Sequence, residues 1–121
     1  MANEISFTAS LSISKGGVNI SGSGSATVTM AGNNLLGTVQ NIGAATEAIA
    51  IGDMTTPGYL WVKNLDATNF IQIGLTNPVN AGNAMVKLLP GEFALMPTRQ
   101  TAIYALADTA PCDLEVVIVE L

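Results

Sequence analysis

The sequence has no histidine, a single cysteine and few charges: only 11% of its 121 residues are Asp, Glu, Lys or Arg. Each shortage excludes something. Without imidazole there is no Ser-His relay, no commonest general base and no usual zinc ligand. Cys112 stands alone, so no intrachain disulfide can form, and no histidine is present to activate the thiol. It is expected to be a small apolar side chain near the start of the last strand. The nine carboxylates are spread along the chain, mostly in expected turns, with no Asp-x-Asp-x-Asp run to hold calcium. Gly22-Ser23-Gly24-Ser25 lacks the Gly-Lys-Ser/Thr and the following helix of a phosphate loop. The expectation is a protein that is not an enzyme, with no catalytic, metal or cofactor site.

The four basic residues, Lys15, Lys63, Lys87 and Arg99, are dispersed in a chain of net charge −5. Nucleic-acid binding needs clustered Lys and Arg to displace counterions, and an anionic membrane surface needs the same, so neither partner is expected. No apolar run approaches the ~18 residues of a membrane span. Met1-Ala2-Asn3-Glu4 shows no basic and apolar signal pattern, which predicts a soluble protein made in the cytoplasm. An average soluble domain is about 25% charged. The deficit here implies a surface covered by Ser, Thr, Asn and Gly, part of it buried against other subunits, because interface cores lose charge.

What the chain does have is period two. Ile5, Phe7, Ala9, Leu11 and Ile13 alternate with polar residues, the pattern of a half-buried strand. Lys15-Gly16-Gly17 is a turn signal, after which Val18 and Ile20 resume the alternation. Residues 21–25 interrupt it, and Ala26, Val28 and Met30 take it up again. Residues 1–30 therefore form a serine-rich N-terminal β arm or hairpin, belonging either to the domain's own sheet or to a neighbouring chain. Ile5, Phe7, Leu11 and Ile13 are the candidate partner-binding residues of this arm.

Residues 31–121 read as the core domain, with short strands predicted at 36–42, 48–51, 59–63, 70–73, 84–89, 93–96, 102–107 and 114–120. Pro90-Gly91 suits a type II turn. The Ala-rich stretch 44–50 is too short for a stable helix and is bracketed by Gly43 and Gly52, which favours strand or loop. Many short strands with Gly, Pro and Asn turns imply an antiparallel all-β sandwich or barrel. Tyr59 and Trp61 lie two apart on one strand, hence on one face. They are candidates for core, for a subunit interface or for a sugar-stacking platform.

The block 58–74 (Gly-Tyr-Leu-Trp-Val-Lys-Asn-Leu-Asp-Ala-Thr-Asn-Phe-Ile-Gln-Ile-Gly) resembles a hairpin of small structural proteins of tailed bacteriophages. The runs 87–95 and 103–116 are similar to the same group, so the resemblance covers the last two thirds of the chain. Its closest analogues are capsid decoration, or cement, proteins. The resemblance implies a β-sandwich of jelly-roll type, a homotrimer, binding to the major capsid protein on the outside of the head, and a place in the virion. A tail, neck or fibre-base component and a carbohydrate-binding β-sandwich remain as alternatives.

Overall fold

The computed structural model describes residues 4–121; Met1, Ala2 and Asn3 of the expected arm lie outside the described residues. The chain divides into two units, Met1–Ala31 and Gly32–Leu121. That boundary falls one residue from the one expected from composition. Every regular element among the described residues is a strand, and every strand pairing is antiparallel.

The first unit is a hairpin. Strands β1 (Ile5–Lys15) and β2 (Val18–Val28) form a two-stranded sheet of their own. Lys15 pairs with Val18, so the connection is two residues long. Gly16 and Gly17 have φ of 61° and 81°. Two positive φ values make a type I′ turn, whose twist matches that of the flanking strands, and glycine adopts them without a Cβ penalty. The interruption expected at residues 21–25 does not occur, since β2 runs through them. Ladder hydrogen bonds come from the backbone, so Ser and Gly can continue a strand that they would not by themselves favour.

The second unit has eight strands: β3 (Leu35–Ile42), β4 (Glu47–Ala48), β5 (Pro57–Asn64), β6 (Ile71–Gly74), β7 (Val86–Leu88), β8 (Phe93–Pro97), β9 (Tyr104–Ala107) and β10 (Cys112–Glu120). They make two four-stranded sheets, ordered β3-β10-β5-β8 and β4-β9-β6-β7. The pairings are nested: β3 with β10, β4 with β9, β5 with β8 and β6 with β7. The alanine-rich stretch contributes β4, only two residues long, and Ile49 N–H donates to the Ile103 carbonyl at 2.8 Å.

Both sheets send alternate side chains into one core. From β10 come Leu114, Val116 and Ile118, and from β5 Leu60 and Val62, all fully buried. Ile71 and Ile73 of β6 face them, with Ala105 and Ala107 of β9 beside these in the same sheet. Pro90 and Gly91 make the expected turn: Glu92 N–H donates to the Leu89 carbonyl at 2.9 Å, and Gly91 has φ of 82°. Asn64, also fully buried, ties three segments together. Its amide nitrogen donates to the carbonyls of Asn69 (2.9 Å) and Leu88 (3.0 Å), and its Oδ1 accepts from Asp66 N–H (2.9 Å).

The two units predict separable responses to mutation. Leu60→Ala should destabilise the sandwich by about 2–5 kcal/mol, the usual cost of truncating a buried Leu. Ser12→Ala, on the exposed polar face of the hairpin, should leave the main unfolding transition where it is. Urea unfolding followed by Trp61 fluorescence measures both.

Candidate functional site

The hairpin register sorts side chains by chemistry. On one face Ile5 lies opposite Val28, Phe7 opposite Ala26, Ala9 opposite Gly24, Leu11 opposite Gly22 and Ile13 opposite Ile20. The other face carries Ser, Thr and Asn alone from Ser6 to Ser14 and from Asn19 to Thr27. One face is thus apolar along its whole length apart from Lys15 at the tip. The four candidate arm residues all lie on it. Ile5 and Phe7 are partly covered, while Leu11 and Ile13 are exposed, as are Val18 and Ile20 across the turn. Beside Gly22 and Gly24 there is open space where a side chain would be.

A second apolar surface lies on the outer face of the β3-β10-β5-β8 sheet. The registers place Leu35, Val119, Tyr59 and Pro97 in one row across the four strands. The next row is Gly37, Val117, Trp61 and Leu95, and the third is Val39, Glu115, Lys63 and Phe93. Asn41 and Asp113 begin a fourth. Leu35 is 69% exposed, Phe93 59% and Val39 55%. Tyr59 and Trp61 share this face, as their spacing predicted. Trp61 stacks on Phe93 with ring centroids 5.0 Å apart, and its indole N–H donates to Glu115 at 3.1 Å. The Arg99 guanidinium lies 5.5 Å from the Tyr59 ring centroid.

Sequence reasoning missed most of this surface. Tyr59 and Trp61 drew notice because aromatics are rare here, whereas Leu35, Val39 and Val117 did not. The signal was present in 116–119, Val-Val-Ile-Val, which is apolar on both strand faces where a strand covered on one side alternates. Monomeric proteins seldom expose contiguous apolar patches of more than a few hundred Å², and larger ones mark interaction sites.

The polar groups serve the fold. The Asp66 carboxylate accepts N–H bonds from Asn69 (2.6 Å) and Thr68 (2.9 Å), which hold it below the usual carboxylate range. Burial by itself raises the Glu120 carboxyl. Donors from Thr55, Asn34 and Asn33 together outweigh it, and the group ends below its usual range. Burial pushes the Cys112 thiol up, and the charges of Asp66, Asp108 and Asp113 push it further. Among the described residues no three His, Cys, Asp or Glu side chains are grouped to hold a metal ion. Every buried side-chain polar atom among them has a hydrogen-bond partner.

No family model, curated protein sequence or solved structure matches the chain.

Asp66 and Glu120 set an acid limit on stability. Each has a folded pKa below its unfolded value, so the stabilisation is complete above the ordinary carboxylate range and is lost as pH falls through the folded pKa. The melting temperature should therefore drop on acidification below about pH 4. Glu120→Gln should lower the melting temperature at neutral pH and flatten the acid limb, as read by calorimetry across a pH series.

Proposed function

We propose that this chain is a structural protein of a tailed-phage virion, a decoration protein that binds the outside of the head and stabilises contacts between capsomers. The observation that carries the reading is the pair of exposed apolar surfaces on a charge-poor chain. One is the hairpin face from Ile5 to Ile13, and the other is the sheet face around Val117 and Trp61. A protein that stayed alone in solution would leave both in water. A protein built into an assembly covers them.

The nested strand order supports the finer fold assignment, a sandwich of jelly-roll type. Eight strands, wound as a long hairpin into two four-stranded sheets, are the arrangement of jelly rolls, which recur in viral capsid proteins. The similarity of 58–74, 87–95 and 103–116 to phage structural proteins points the same way. In this reading the major capsid protein is the partner, the protein works as a homotrimer, and three modest contacts on one rigid body give a large avidity. The carboxylates and the lone thiol are assigned to folding and not to chemistry. The hairpin, an isolated two-stranded sheet and so marginal in water, acts as an arm that gains stability from a neighbour. Trp61 suits a sugar platform less well, because Phe93 is stacked against its indole.

Quantitative mass spectrometry of purified particles tests the assignment. A copy number close to that of the major capsid protein is expected. A handful of copies would move the protein to the tail or neck, and its absence from particles would overturn the virion reading.

A further inference from the structure

The chain carries two apolar β surfaces, and the same physical argument applies to both. The hairpin face has Leu11, Ile13, Val18 and Ile20 between 51% and 66% exposed. The outer face of the β3-β10-β5-β8 sheet has Leu35, Val39, Phe93 and Val117 between 40% and 69% exposed. Each is a pleated layer with side chains alternating at strand spacing, the form in which one sheet packs on another at about 10 Å.

We propose that the hairpin of one copy docks by its apolar face onto the outer sheet face of a second copy. The inference deepens the assembly half of the proposed function and does not depend on the virion half. Three features favour a second copy as the occupant. The first is size. A stable interface takes about 800 Å² and roughly 20–30 residues from each partner. Each face offers only about a dozen positions, so neither reaches that size alone. A copy that gives its hairpin and receives another's buries both faces and falls within the range.

The second feature is charge. Lys15 is the only charged residue on the hairpin face. The sheet face has Lys63 and Glu115 side by side, with Asp113 beyond them and Arg99 against Tyr59, so its charges balance. In a chain of net charge −5, copies would repel through most of their surfaces. These two surfaces do not repel, since the hairpin face carries a single Lys and the sheet face no net charge. The third feature is relief. The open space at Gly22 and Gly24 leaves the β2 side of the hairpin face low between Ile20 and Ala26, able to receive a bulky side chain such as Phe93. Docking by the face differs from adding a strand at a sheet edge, which would leave the hairpin's Leu11 and Ile20 in water.

The test uses the full chain and two variants at exposed positions, Ile20→Asp on the hairpin and Val117→Asp on the sheet, with Leu35→Asp as a second sheet variant. Circular dichroism establishes that each is folded, and sedimentation equilibrium reads the mass. The parent chain should be a homo-oligomer, and each variant should fall to the mass of a single chain. A parent chain that stays monomeric overturns the proposal. So does an oligomer that survives either Ile20→Asp or both sheet variants. Loss of head binding by a chain that still self-associates would overturn the capsid reading and leave this one intact.

Discussion

The position of β10 is the constraint on which the rest of the larger unit depends. It is hydrogen-bonded to β3 on one side and β5 on the other, and it is the last strand in the chain. Its inward residues, Leu114, Val116 and Ile118, are fully buried and meet the inward residues of the opposite sheet. Its outward residues, Val117 and Val119, sit in the middle of the exposed apolar face. A single strand therefore closes the core and builds the surface. Period two in β structure makes this possible, because successive side chains belong to opposite faces. A one-residue slip of β10 would exchange the two roles and present Glu115 and Glu120 to the wrong environments.

Polar chemistry in the molecule is local and inward-looking. Asn64 and Asp66 hold the β5–β6 connection by hydrogen bonds to nearby backbone. Glu120 accepts from Asn34 and Thr55, which joins the start of β3 to the segment before β5. With so few charged residues, using some of them as braces leaves little on the sheet's outer face. There Glu115 is engaged by the Trp61 indole and Lys63 lies beside it in the same row. The surface is apolar in part because the charges are employed elsewhere.

The sequence made strands legible wherever alternation was clean. β1, β5 and the Pro90-Gly91 turn stand close to where residue pattern places them, because the pattern is the physical cause of the element. It was silent on pairing. Nothing local in 35–42 announces that its partner is the chain's last strand, since such contacts are fixed by the whole fold. Residues 21–25 misled because Ser and Gly are also the residues of linkers. In this hairpin their backbones complete a ladder, and Gly22 and Gly24 leave the β2 side of the apolar face low. Tyr59 and Trp61 were legible as a shared face. Its full extent was not, because it is assembled from four strands that only the fold makes neighbours.

The two units also differ in how far apart along the chain their partners lie. In the hairpin Lys15 pairs with Val18, and each further pair closes on the one before it, a process of microseconds once the strands exist. In the sandwich β3 must wait for β10, with Cys112 as the partner of Ile42 and the whole of the other strands between them. Such long-range closure is slow. During synthesis the hairpin thus emerges ahead of the sandwich and can zip locally long before the sandwich can close. Its apolar face exists before any folded sheet of its own chain, while finished copies nearby already display theirs. In the proposed docking, order of folding becomes a source of order in assembly: a chain still being made offers its hairpin to a finished copy.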